Sequence, residues 1–152
     1  MLSPGFMGER YRQGVMAVLV NDENKVLIGS SPRDGGYKFP QGGLDDGETP
    51  RDAIKREVME EIGLQIRDED IVAECSEKVR YRYERRNPNL PDDIVGQEQV
   101  VFRICYKGDG TIYPQDNEFY ELVWVDPQEI EQHDIRHRCG AYVRALELCG
   151  LR

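Results

Sequence analysis

In the stretch GLDDGETPRDAIKREVMEEIGL, residues 43–64, glutamates fall at positions 57, 60 and 61. On a helix advancing about 100° per residue, Glu57, Glu60 and Glu61 share an arc of roughly 100°. Like charges at i, i+3 or i, i+4 cost about 0.2–0.5 kcal/mol per pair, so a purely solvated acidic face must tolerate that repulsion with Arg56 alone as local relief. A hard cation offers the other way out. Mg²⁺ prefers carboxylate oxygens and keeps waters for substrate phosphates. The glutamates alone leave both readings open.

The residues around them must position this group. Gly42, Gly43 and Gly47 let backbone amides and carbonyls come close to a metal or phosphate, and Glu48 lies eight residues before Arg56, where a charge pair can fasten loop to helix. Thr49 is a suitable N-cap, Pro50 suits the first helical position and Asp52 the first turn. Ile54, Val58 and Ile62 form the apolar stripe beside which the glutamates lie, and Gly63 is placed for a left-handed C-cap. The expected helix covers about residues 50–62.

Elsewhere, GVMAVLVNDENKVLIGS reads as a hairpin turning at Asn21 to Asn24. SPRDGGYKFPQGGLDDGE, dense in Gly, Pro and Asp, reads as mostly loop. IVAECSEKVRYRY and EQVVFRICYKGDG alternate as half-buried strands do, with ERRNPNLPDDIVG as a loop between them. FYELVWV is a further strand, DPQEIEQ a short helix, and RCGAYVRALELCG a terminal helix with Tyr142, Ala145, Leu146 and Cys149 on one face. Strands, helix, strands, helix without a repeat or linker give a mixed α/β domain spanning residues 1–152.

Gly42, five residues, Glu48, seven residues, then Arg56-Glu57-Val58-Met59-Glu60-Glu61-Ile62-Gly63-Leu64 matches every fixed position of the Nudix box. The chain thus resembles the Nudix hydrolases, which cleave nucleoside diphosphates linked to another group. The resemblance implies an α/β/α sandwich around a central mixed β-sheet, with the box forming loop, helix and loop. It also implies that Glu57, Glu60 and Glu61 bind Mg²⁺ (with Mn²⁺ a substitute), that the Gly42 backbone is a further ligand, and that Glu48 and Arg56 form a structural ion pair.

A narrower resemblance runs along nearly the whole chain. YRQGVMAVLVN, YKFPQGG, VRYRY, GQEQVVF and EFYELVWV are similar, in order, to segments of bacterial RNA 5'-pyrophosphohydrolases and the related diadenosine tetraphosphate hydrolases. It implies a substrate of 5'-triphosphorylated RNA or a nucleotide. Glu118 stands where the subgroup has a metal-binding or general-base Glu, so Glu57, Glu61 and Glu118 are the catalytic candidates. Arg12, Arg33, Lys38, Tyr81, His137 and Arg138 are the substrate-binding candidates, Tyr81 by stacking on a base. Tyr37 and Lys38 replace the subgroup's Trp and Gln, and Ser30 and Ser31 stand where it carries a basic pair. Diadenosine polyphosphates or free nucleoside triphosphates therefore stay open as substrates, as does a catalytically silent module that binds nucleotides or RNA ends.

Composition narrows the partners. A net charge of −9 disfavours holding nucleic acid mainly by counterion release, so no DNA partner is expected, though an enzyme gripping only an RNA end through divalent cations remains compatible. No apolar run approaches the roughly 18–20 residues of a membrane span, and MLSPGFMGERYRQG has no signal-peptide core. A cytoplasmic protein with no membrane partner is expected. Cys75, Cys105, Cys139 and Cys149 lack a Cys-x-x-Cys spacing and read as reduced thiols. The resembling enzymes suggest a homodimer.

Overall fold

The structure is a computed structural model that describes residues 8–108, 112–115 and 119–152. Its strands are β1 (Arg10–Val20), β2 (Val26–Ser30), β3 (Tyr37–Lys38), β4 (Gln41–Gly43), β5 (Ile71–Glu74), β6 (Val79–Arg82), β7 (Ile94–Cys105) and β8 (Leu122–Val125). Helix α1 covers Pro50–Ile62 and α2 covers Cys139–Leu148, with short 3₁₀ turns at Asp68–Asp70, Pro127–Gln132 and Arg136–Arg138.

These strands make one mixed sheet. The apolar run of β1 pairs in parallel with β7 from Arg10↔Ile94 to Val20↔Cys105, and the other ladders are antiparallel. β2 meets the C-terminal end of β1 at Val20↔Val26, while β4 lies along its middle, from Gly14↔Gly43 to Met16↔Gln41. Because side chains alternate along a strand, the central strands are apolar on both faces. Val15, Ala17 and Leu19 pack with Ala53, Ile54, Val58 and Ile62 of α1. Met16, Val18 and Val20 pack with Ala141, Tyr142, Ala145 and Leu146 of α2. Helix, sheet, helix is the α/β/α sandwich.

Helix α1 starts and stops where its capping residues place it. Thr49 Oγ1 accepts from Asp52 N at 3.1 Å, Pro50 opens the first turn, and Gly63 at φ 70° donates its N–H to Met59 O.

Several strand boundaries differ from the sequence expectation. IVAECSEKVRYRY is two strands, β5 and β6, which pair with opposite ends of β7, the polar Ser76-Glu77-Lys78 segment falling between them. β7 begins at Ile94, inside the stretch expected to be loop, and β1 begins at Arg10, ahead of its apolar run. The backbone ladder continues there although the side chains are largely outside the core. The Gly-Pro-Asp segment expected as loop contributes β3 and β4. DPQEIEQ forms a 3₁₀ helix capped by Asp126, whose carboxylate accepts from Gln128 N at 2.8 Å.

Candidate active site

The Gly-rich loop, β4 and α1 form one assembly. Glu48 receives two hydrogen bonds from Arg56, Nε and Nη2 each at 2.8 Å, and a third from Asp45 N at 2.9 Å. Arg56 Nη2 also donates to Gly43 O at 3.0 Å, so the guanidinium ties helix, loop and β4 together. These charge-assisted hydrogen bonds hold the Glu48 carboxyl down at about 2 and push the Arg56 guanidinium up. The expected Glu48–Arg56 pair is therefore formed in the structure.

The same Arg56 reaches the acidic helix face. Its Nη1 donates to Glu57 Oε1 at 2.7 Å and to Glu60 Oε2 at 3.4 Å. Glu61 is buried, its Oε1 accepting from the Gln41 N–H at 2.8 Å. β4 is thus held on one edge by β1 and on the other by Glu61. A Cβ at Gly42 would lie 2.1–2.3 Å from the Glu57 carboxyl, so only glycine lets the β4 backbone rest against that group.

The Glu57 carboxyl hence rests at Gly42 and the Glu61 carboxyl at the Gln41 N–H, while Glu60 is half-exposed beside Arg56. Carboxylate oxygens are the donors a hard divalent cation takes, and the space at Gly42 that a Cβ would fill is where the Glu57 carboxyl rests. Among the described residues no three acidic, His or Cys side chains are arranged to hold a metal ion as they stand. Glu118 lies outside the described residues.

The substrate-binding candidates fall into two groups. Arg12 is exposed beside Gly43, where a Cβ would meet its guanidinium at 2.5–2.6 Å, and Arg33 is exposed next to Asp34. The others are engaged within the fold. Lys38 is buried with Nζ 2.7 Å from Asp34 Oδ2. Burial works to raise the Asp34 carboxyl, but the attraction of Lys38 prevails and holds it below the usual range. Arg138 is buried, with Nη1 donating to Gly35 O at 3.1 Å and Tyr37 O at 3.4 Å. His137 Nδ1 lies 2.9 Å from Glu84 Oε1, and burial, reinforced by Arg138, lowers its pKa below the ordinary 6.5. A neutral imidazole at pH 7 adds no charge for a phosphate.

Tyr81 differs most from expectation. It is 8% exposed, its ring meets those of Tyr83 and His137 edge-on, and its hydroxyl accepts from Gln41 Nε2 at 2.6 Å. That burial leaves little ring for a base to stack on. Its position opposite Gln97 on β7 points it to the α2 face, where the core closes over it.

Two residues without an assigned role in the sequence belong to this region. Gln41 lies within the quoted YKFPQGG segment, and Tyr142 read only as core. A Gln beside two glycines on a strand is the one local sign, since it puts a polar side chain where its neighbours have none.

Comparison with known proteins agrees with this fold. The NUDIX domain family model matches residues 10–145. An RNA pyrophosphohydrolase of Francisella tularensis subsp. mediasiatica (strain FSC147) is 33% identical over 148 residues, covering 90% of this chain and 91% of its own. One from Xanthomonas oryzae pv. oryzae (strain MAFF 311018) is 32% identical over 142 residues, covering 90% and 69%. Among solved structures, the E. coli dihydroneopterin triphosphate pyrophosphohydrolase superposes with a TM-score of 0.69 at 16% identity, covering 91% of this chain and 97% of that one. The MutT protein of Methanosarcina mazei Go1 gives 0.68 at 17%, covering 91% and 95%. At such identities the two structures speak for the fold.

Proposed function

Because the chain belongs to the NUDIX family, we propose that it is a Mg²⁺-dependent hydrolase that removes pyrophosphate from the 5'-triphosphate end of RNA and leaves a 5'-monophosphate. The observation that carries this reading is the placement of the Glu57 carboxyl against Gly42 and of the Glu61 carboxyl on the Gln41 N–H, with Glu60 on the same helix. The names of the relatives at 32–33% identity support the substrate. NUDIX enzymes use divalent metal ions, and Glu57, Glu60, Glu61 and Glu118, with the Gly42 backbone, are the residues that would hold them here. Bound Mg²⁺ neutralises phosphate charge and lowers the pKa of a coordinated water.

The chain's own part is positional. Arg56 and Glu48 lock the loop, Gly42 admits the backbone beside Glu57, and Glu118 or Glu57 accepts the proton of the attacking water. Water adds across the anhydride between the α- and β-phosphates, and pyrophosphate departs with the bridging oxygen. Arg12 and Arg33, both exposed, would supply the cations for the 5' end. Incubation of triphosphorylated RNA with the protein and Mg²⁺ should yield monophosphate ends; their absence, with no pyrophosphate or phosphate released, defeats the proposal.

A second reading, hydrolysis of diadenosine polyphosphates or free nucleoside triphosphates, draws on one feature. Lys38 and Arg138 spend their hydrogen bonds inside the fold, which leaves the basic side of the site sparse. The third alternative, a silent binding module, is weakened by the unbroken box carboxylates, and turnover of any pyrophosphate-linked nucleotide eliminates it. No helix among the described residues is long and apolar enough to cross a membrane. We place the enzyme in the cytoplasm, as a homodimer.

A further inference from the structure

We propose that Gln41 and Tyr142 are positioning residues that set the metal affinity of Glu61 from the opposite face of the sheet. The proposal rests on the metal role given to Glu61 above. Gln41 is 4% exposed and joins two systems. Its main-chain N–H holds Glu61 Oε1 at 2.8 Å at the free edge of β4. Its side chain points to the other face, toward α2, where both ends of the amide are engaged: Tyr142 Oη donates to Oε1 at 2.5 Å, and Nε2 donates to Tyr81 Oη at 2.6 Å. Tyr142 Oη in turn accepts from Phe39 N at 3.3 Å, two residues upstream on the same chain segment.

The hydroxyl of one fully buried tyrosine on α2 thus fixes both Phe39 and Gln41. Between them lies Pro40, whose carbonyl accepts from Ala17 N at 2.8 Å. β4 is only three residues long, and short ladders orient a strand weakly by themselves. The Tyr142-Gln41-Tyr81 chain supplies the missing constraint: it sets the rotation of residue 41, and with it the direction of the N–H that holds Glu61. Buried groups with satisfied hydrogen bonds resist displacement because an unpaired partner is costly. Residues behind a ligand commonly alter metal affinity or activity about 10- to 100-fold when changed.

The sheet is crossed without a side chain passing through it. Tyr142 packs with the ring of Phe39 at 4.5 Å on the α2 face, whereas Glu61 belongs to α1 on the other face. Gln41 carries hydrogen bonds to both, its backbone N–H to Glu61 and its side chain to Tyr142.

The experiment measures Mn²⁺ binding to the intact protein by the loss of the free Mn²⁺ EPR signal, for the parent chain, Tyr142→Phe, Gln41→Met and Glu61→Gln. Melting temperature and circular dichroism are recorded for each. The expected result is a dissociation constant weakened on the order of tenfold in folded Tyr142→Phe and Gln41→Met, with no further weakening when either is combined with Glu61→Gln. In turnover the same variants lose kcat and leave KM near the parent value. Tyr142→Phe is the milder change, so it keeps the test decisive where Gln41→Met fails to fold. A Tyr142→Phe protein that melts lower yet binds Mn²⁺ as tightly as the parent overturns the coupling and leaves only a packing role. Failure of the parent to bind Mn²⁺ overturns it as well, by removing the metal role of Glu61. Inability to hydrolyse triphosphorylated RNA while Mn²⁺ binding remains Tyr142-dependent counts against the substrate alone.

Discussion

At the scale of single residues, the roles divide by what each carboxylate touches. Glu57 and Glu61 contact the β4 region, so neutralising either removes a negative oxygen from the proposed metal site without opening the core. Glu57→Gln and Glu61→Gln should each cut single-turnover rates by about 10- to 100-fold or more at saturating Mg²⁺ while melting near the parent temperature; near-normal rates would remove the metal assignment. Gly42→Ala tests the same geometry from the backbone side. Its methyl would sit 2.1–2.3 Å from the Glu57 carboxyl, so that side chain must move, and activity should fall in a protein that still folds. Glu48 belongs to a different class, since its oxygens are taken by Arg56 and the Asp45 amide. Its carboxyl is held at about 2 in the folded state against an ordinary 4.5. A depressed folded pKa contributes stability that is present above about 4.5 and lost as pH falls toward 2. Urea unfolding from pH 6 to pH 2 should therefore show a steeper acid loss for the parent than for Glu48→Gln. Parallel curves would mean that the pair contributes nothing measurable. Asp45 Oδ2 lies 3.4 Å from the same guanidinium.

At the scale of elements, α1 carries the carboxylates of the proposed metal site and its ends decide where its side chains point. Thr49 Oγ1 satisfies an N–H of the first turn, and Gly63 takes the left-handed conformation that lets the chain leave. Thr49→Ala should cost about 1 kcal/mol, and Gly63→Ala about 1–2 kcal/mol for forcing a Cβ into that region. Both are to be read from denaturant midpoints. Activity per folded molecule should hold for Thr49→Ala, because the Glu48–Arg56 bonds still dock the loop; a large loss of kcat in this variant would show that the cap itself orients the carboxylates. The helix limits were legible in the sequence because Thr49, Pro50 and Gly63 act within a turn of their own positions. The division of IVAECSEKVRYRY into β5 and β6 was not, because only the length of β7 decides how many partners fit along it.

At the scale of the whole molecule, the proposed substrate-binding cations come from distant segments. Arg12 comes from β1 and Arg33 from the loop after β2, while Lys38 and Arg138 are withdrawn into the fold. We expect kcat/KM for triphosphorylated RNA to exceed that for diadenosine tetraphosphate and for free triphosphates at one salt concentration. A hundredfold lead for the dinucleotide, about 2.7 kcal/mol of transition-state preference, would make the RNA reading secondary. The assembly prediction is separate: sedimentation at micromolar protein should show a species of twice 17.5 kDa, and 17.5 kDa alone would refute the homodimer.

The sequence by itself determined the family, the limits of α1, and the presence of Glu48, Arg56, Glu57, Glu60 and Glu61 on one loop and helix. Each depends on spacing within a few turns, where backbone geometry leaves few alternatives. Only the tertiary structure decided that Glu61 turns to the Gln41 amide while Glu57 turns to Gly42 and Arg56. The same holds for Tyr81, which lies within the core, and for the reach of Tyr142 across 101 residues to Gln41. These follow from the parallel pairing of β1 with β7 and from which face each helix covers. Burial and hydrogen-bond partners at that distance are set by packing, and no local pattern encodes it.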